Sequence, residues 1–446
     1  MATRVTTVFA CQSCGSASPK WLGRCPECGE WNSYVEEVRA GKPAPSGEAV
    51  ATPVAVAGEE SEARVAAGMP GLDRVLGGGL VPGSVVLLGG EPGIGKSTFL
   101  LQSARCLAAQ KGEVLYATAE ESAAQVRMRA ERLGIREESL LLIAETDVTR
   151  IVAGAEARRP ALLIVDSIQA VYEPALSSAA GTVSQVRESA SALLRYAKSR
   201  GVPVILIGHV TKDGSLAGPK SLEHLVDTVV TLEGERTSLR RVLRATKNRF
   251  GPVDEVALYD MTGEGLAEIA NASAALLAER RQGLPGSAVT ATREGSRCLL
   301  VEIQALVGPA TAGSPRRVAI GVDGGRLALL LAVLEGAGLS LAAREVFVSC
   351  AGGLETAEPA ADLAVVAALV SSARGRAIPG DVVCFGEIGL LGEVRRVPAA
   401  GSRLKEAAAM GFSTVYLPAG DAAEAARFQD LAIRPVDRVV DFVKGL

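Results

Sequence analysis

The sequence predicts an α/β protein whose central domain is a buried parallel sheet, and three observations carry that prediction. Short, largely apolar runs at 84–88, 113–117, 161–165 and 202–207 are separated by longer segments of helical period. Strands covered by helices on both faces read this way. The first run leads into a glycine-rich loop and then into a helix-period segment at 98–110. Four of the eight cysteines fall within the first 28 residues, apart from the sheet-forming runs.

At 446 residues the chain has room for two or three domains. Apolar residues make up 48% and charged residues 22%, which excludes wholesale disorder. A net charge of −3 gives no global field toward nucleic acid, so such binding requires a local patch. The longest apolar runs, such as 327–334, are too short to span a membrane, and no membrane partner is expected. Residues 5–10 are too short and too threonine-rich for a signal-peptide core, so the expected location is cytoplasmic. In order, the chain divides into a cysteine module (1–40), a Pro/Gly/Ala/Glu linker (41–63), the α/β domain (64–270) and a mixed α and β block (271–446).

In the first block, Cys11-x2-Cys14 and Cys25-x2-Cys28 form two knuckles with the spacing of a tetrahedral Zn²⁺ site. Gly15 and Gly29 follow the knuckles, where backbone amides can approach thiolates. So short a segment cannot bury a sufficient core, and metal binding would supply its folding energy. Trp21 and Trp31 are expected to pack against the knuckles.

In the second domain, Gly90-Glu91-Pro92-Gly93-Ile94-Gly95-Lys96-Ser97 matches G-x-x-x-x-G-K-[ST] between a strand and a helix that opens at Thr98. Such a loop wraps phosphates with backbone amides. Lys96 would neutralise the β- and γ-phosphates of a bound nucleotide and Ser97 would ligate Mg²⁺. Asp166 ends the apolar run 161–165 and reads as a second Mg²⁺-holding group. Glu120, after the strand at 114–117, is a candidate base for the attacking water. It reads equally as an acid opening the amphipathic helix 124–133, where the helix dipole favours it. His209 ends a strand and is placed to sense a γ-phosphate, whereas His224 lies in an apolar stretch and reads as structural. Residues 236–249 carry six basic side chains and no acidic one. Such a run is a solvated face or a basic stripe for a polynucleotide or a neighbour's nucleotide.

Taken together, these stretches resemble the bacterial RadA (Sms) family of DNA repair proteins. The knuckle pair and phosphate loop are joined by Ser184-Gln185-Val186-Arg187-Glu188 and Gly208-His209-Val210-Thr211-Lys212-Asp213-Gly214. The pentapeptide Lys247-Asn248-Arg249-Phe250-Gly251 is a hallmark of that family. The resemblance, from about Cys11 to the C-terminus, implies a RecA-like P-loop ATPase core in a hexameric, helicase-like ring. Such a ring drives branch migration on single-stranded and branched DNA beside a RecA-type recombinase, with ATP held between subunits. It makes Glu120 the catalytic base, and gives Lys247 and Arg249 a neighbouring subunit's site to complete or ATP to couple to DNA. Loops near Gly181 and at 212–220 would face DNA. Ala119 departs from the family's glycine before the paired glutamates.

The last block resembles an α+β Lon protease domain at Gly386-Glu387-Ile388-Gly389-Leu390 and Gly392-Glu393-Val394. A Ser–Lys dyad needs a hydroxyl and a desolvated lysine. Ala360 stands at the serine position, Lys405 lies near the lysine position at a different spacing, and Ser371 and Ser372 come too late in the helix. The expectation is a proteolytically inactive domain kept for ring assembly or DNA contact. An ATP-dependent protease and a nucleotide-switched scaffold are the competing functions; the DNA-stimulated ATPase accounts for more residues.

Overall fold

A computed structural model describes residues 5–13, 15–40, 63–208, 221–234, 239–253, 255–294, 297–310, 315–352, 356 and 358–446. Cys14, His209, the loop 212–220 and all but the last residue of the expected linker lie outside the described residues. The chain forms two compact units, Met1–Glu268 and Ile269–Leu446.

The first unit holds a nine-stranded sheet. Its parallel part runs, in spatial order, Thr228–Glu233, Val85–Gly89, Val204–Ile207, Leu162–Asp166, Val114–Thr118 and Leu140–Ala144. The four apolar runs of the sequence are the four inner strands, buried along their whole lengths. Two apolar clusters explain why. Leu88, Tyr116 and Ile164 face the helix Lys96–Lys111, while Leu87, Leu115 and Val165 face the helices Val148–Arg158 and Val183–Arg200. Each such side chain fully removed from water contributes about 1.5–3 kcal/mol. Beyond Thr228–Glu233 the sheet continues antiparallel through Arg240–Asn248, Val256–Thr262 and Gly265–Glu268.

The same unit carries a three-stranded antiparallel sheet of Val5–Cys11, Ala17–Ser18 and Tyr34–Ala40. Its small core is Cys11, Cys25 and Tyr34, flanked by Phe9 and Leu22. The expected tryptophan packing is not found: Trp21 is 52% and Trp31 67% exposed. A core this small is filled by one phenol ring. Trp21 is instead tethered by its Nε1, which donates to the Tyr34 carbonyl at 3.2 Å, and Trp31 lies beneath the Arg24 guanidinium.

The second unit is built on a mixed seven-stranded sheet. Its order is Arg317–Ile320, Arg344–Cys350, Arg297–Pro309, Ser287–Glu294, Val382–Cys384, Thr414–Pro418 and Ala432–Val436. The helix Asp362–Arg374 is buried from Asp362 to Ser371 and lies against the sheet's middle strands. No helix among the described residues is long and apolar enough to cross a membrane.

Candidate functional site

The loop Gly90 to Ser97 leaves the carboxyl end of Val85–Gly89 and turns into the helix Lys96–Lys111. Gly95 makes that turn at φ 111°, a left-handed conformation that favours glycine; a Cβ there would lie 2.8 Å from Met261. A Cβ on Gly90 would meet the Leu232 carbonyl at 2.6 Å, so the loop starts tight against the strand Thr228–Glu233. Ile94 is buried beneath it, and Pro92 and Gly93 form its exposed crest. Ser97 and Thr98, half-buried, begin the helix.

Lys96 is 5% exposed, and its Nζ donates to the carbonyls of Gly90 at 2.8 Å and Glu91 at 2.9 Å. Burial pushes its pKa down to about 8, against the upward pull of Asp166 and Glu120. A lysine held this dry inside a glycine-lined turn suits a polyanion that restores the solvation it has lost. Asp166 sits at the end of Leu162–Asp166 and accepts from the Tyr116 hydroxyl at 2.5 Å and from Ser97. Burial raises its pKa first of all; those two hydrogen bonds pull it back, and Glu121 and Glu120 push it further up. A hydroxyl beside a carboxylate at the foot of a phosphate loop is the oxygen-donor set Mg²⁺ takes.

The paired glutamates separate. Helix Ala123–Arg132 begins one residue after Ser122, which caps it in a box with Gln125, so both acids precede the helix. Glu121 forms a two-pronged pair with Arg129 at 2.5 and 2.7 Å, whereas Glu120 accepts from Ser167 Oγ at 3.0 Å and acts electrostatically on Lys96. The departure at Ala119 is accommodated. Its φ is not positive, and its N–H donates to the Asp166 carbonyl at 2.7 Å, tying the two strand ends together.

The structure thus brings Lys96, Ser97, Glu120 and Asp166 together, and Lys247 and Arg249 elsewhere. Lys247 pairs with Val229, itself beside Leu87, and Arg249 follows toward the amino end of Val85–Gly89. Lys247 Nζ donates to the Glu223 and Val226 carbonyls at 2.6 and 2.8 Å. Arg249, half exposed, lies 3.5 Å from Asp227, whose other oxygen accepts from the Val85 N–H. The phosphate loop is at the opposite end of these strands. His224 is exposed, not packed in a core.

Arg236 lies outside the described residues, and the described part of the basic run, from Leu239 on, does not form one stripe. Strand alternation puts Arg240 and Arg244 on one side, 3.7 Å from Asp260 and 3.8 Å from Glu233. Arg241 turns inward, 6% exposed, and its Nε donates to the Ile94 carbonyl of the phosphate loop at 3.1 Å. Tyr116, Ser167 and Arg241 are the site residues that motif reasoning misses. For Tyr116 and Ser167 the sequence signal is a polar group in or beside an otherwise apolar strand, which must find a partner when buried, whereas Arg241 stands in a strand of mixed basic and apolar residues.

In the cysteine module, the Sγ atoms of Cys11, Cys25 and Cys28 lie within 4.8 Å of one another, with Cys11 and Cys28 3.7 Å apart. Sulfurs around tetrahedral Zn²⁺ are about 3.8 Å apart at the usual Zn–S length. The three thiols therefore fit the metal. The amides of Gly15 and Gly29 close the knuckles by donating to the carbonyls of Cys11 and Cys25.

In the second unit Ala360 is wholly buried. Nearby, Arg403 is fully enclosed; it pairs with Glu358, donates to the Ala291 and Pro398 carbonyls, and lies over the Phe385 ring. Lys405 is exposed. Ser371 accepts from the Gly286 N–H and donates to the Arg376 carbonyl, and Ser372 accepts from the Val307 N–H. Among the described residues no serine stands beside a buried lysine there.

A phosphate loop folded over the carboxyl ends of a helix-covered parallel sheet marks the class of P-loop nucleotide-binding domains. Family models agree: residues 52–215 match the AAA domain, and residues 9–36 match the rubredoxin metal binding domain. DNA repair protein RadA of Pseudomonas aeruginosa is 47% identical across 97% of this chain and 98% of its own length. The RadA proteins of Bacillus subtilis and Escherichia coli are 47% and 46% identical, over 93% and 94% of this chain and 92% and 94% of theirs. The chain belongs to the RadA family of DNA repair proteins. A crystal structure of the RadB recombinase aligns with a TM-score of 0.37 and 24% identity, covering 46% of this chain and 99% of that one.

Proposed function

We propose that this chain is a DNA-stimulated ATPase of recombinational repair, a ring-forming, helicase-like motor that moves branched DNA. The observation that supports it most is the convergence of Lys96, Ser97, Asp166 and Glu120 at one end of the sheet. ATP binds along the loop from Gly90 to Thr98, and the Lys96 ammonium takes charge from the β- and γ-phosphates. Ser97 and Asp166 are the groups that hold Mg²⁺, which when bound neutralises further phosphate charge. Glu120, held by Ser167, orients the attacking water and accepts its proton as the bond to the leaving diphosphate breaks. Turnover measured with and without single-stranded DNA, beside a sizing measurement, tests the whole reading. No response to any DNA form would sink it.

Lys247 and Arg249 stand away from their own chain's phosphate loop, which favours a role toward a neighbouring subunit or toward DNA. The Lys247→Ala protein should hydrolyse ATP in solution yet fail to advance a branched DNA substrate. Normal branch migration by that protein would remove Lys247 from the coupling. The region near Gly181, with the loop 212–220, is the proposed DNA-facing side of the ring, and a RecA-type recombinase is the proposed partner.

The cysteine module is proposed to hold one Zn²⁺ through Cys11, Cys14, Cys25 and Cys28. The chain's two tryptophans both lie in this module, so their emission reports on it alone. Stripping metal with a chelator, or the Cys25→Ser substitution, should shift that emission to the red and release the Trp21–Tyr34 tether. Unchanged emission from metal-free protein would count against a folding role for zinc.

A further inference from the structure

The strand Val114–Thr118 is wholly buried, and within it, before the closing Thr118, one residue carries a polar group: the phenol of Tyr116. The ring is 1% exposed and packs in the same cluster as Leu101 and Val126, where a phenylalanine would fill the volume equally well. The hydroxyl is the part that packing does not explain. In register, Thr118 pairs with Asp166 and Tyr116 with Ile164, so Tyr116 is the diagonal neighbour of the aspartate on the adjacent strand. From there its hydroxyl reaches Asp166 Oδ2 at 2.5 Å, while Ser97 hydrogen-bonds the same carboxylate from the phosphate-loop side.

A carboxylate at a strand end can rotate about its Cβ–Cγ bond and shift rotamer. One donor anchored in the core removes that freedom, and a buried carboxylate stripped of its donor bears the full cost of desolvation. We propose that Tyr116 is a positioning residue for Mg²⁺ binding: its hydroxyl fixes the Asp166 carboxylate in the orientation that, with Ser97, receives the metal. This deepens the ATPase reading and rests on it. Partners that orient metal-binding carboxylates typically change metal affinity by about 10–100-fold when removed.

The test is Tyr116→Phe, which deletes one oxygen and keeps the ring. Affinity for a fluorescent ADP analogue is titrated against Mg²⁺, with magnesium-free affinity and thermal midpoint measured alongside. The wild type should bind the nucleotide more tightly as Mg²⁺ rises. In the variant the Mg²⁺ concentration giving half of that effect should rise by about 10-fold or more, with magnesium-free affinity unchanged. An unaltered Mg²⁺ requirement, even with a lowered thermal midpoint, would make the hydroxyl merely structural and overturn the proposal. A wild type without Mg²⁺-dependent affinity would overturn the ATPase reading as well. Should Tyr116→Phe fail to fold, the double variant with Asp166→Asn removes the stranded charge. Recovery of folding in the double variant supports the pairing, and continued misfolding overturns it.

Discussion

ATP turnover by the Lys96→Ala protein is expected to fall by about 10²–10³-fold or more, the scale of losing one preorganised charge partner of the reacting group. The lysine is almost wholly buried, tucked into the carbonyls of Gly90 and Glu91, and its pKa is already depressed to about 8 by that burial. A cation kept so dry acts on phosphate with little competition from water, so alanine removes a strong interaction. A phosphate-release assay beside nucleotide binding measures the effect. Wild-type turnover by the alanine variant would mean that the loop does not serve hydrolysis.

The second test concerns the two neighbouring glutamates. Glu120→Gln should lower turnover by about 10²–10⁴-fold while leaving ATP affinity intact, because the amide cannot accept the water's proton. Glu121→Gln should leave turnover near normal and cost about 1 kcal/mol of stability, since it breaks a partly exposed pair with Arg129. Single-turnover hydrolysis and thermal melts of the two variants separate these outcomes. If the effects were exchanged, Glu121 would be the catalytic base and the Ser167 contact incidental.

The parts of this site that were legible in the sequence are those whose chemistry constrains neighbouring residues. A phosphate loop needs its glycines, lysine and serine in consecutive positions, so Gly90 to Thr98 could be read directly. The four buried strands were legible for a similar reason, because burial on both faces demands unbroken apolar runs. Asp166 followed from its place at the end of such a run. Residues that act across long sequence distances left little trace. Tyr116 lies 50 positions from Asp166, Ser167 lies 47 from Glu120, and Arg241 lies 147 from Ile94. Composition also misled where it ignored period. The arginine run suggested one basic face, but alternation along a strand divides its described part, and the buried Arg241 holds the phosphate loop from behind. The tryptophans looked like core because they are large, yet both are more than half exposed, and the module's described core is Cys11, Cys25 and Tyr34.

The enclosed Arg403 and the buried methyl of Ala360 bear on what a serine at position 360 could do. A serine placed at position 360 would put its oxygen among packed hydrocarbon, while Lys405, the suggested base, faces water. A working dyad there would need a buried amine beside that oxygen, in an interior where the Arg403 guanidinium is paired with Glu358. One codon change does not assemble such a pair, so Ala360→Ser alone is not expected to confer peptide cleavage on the second unit.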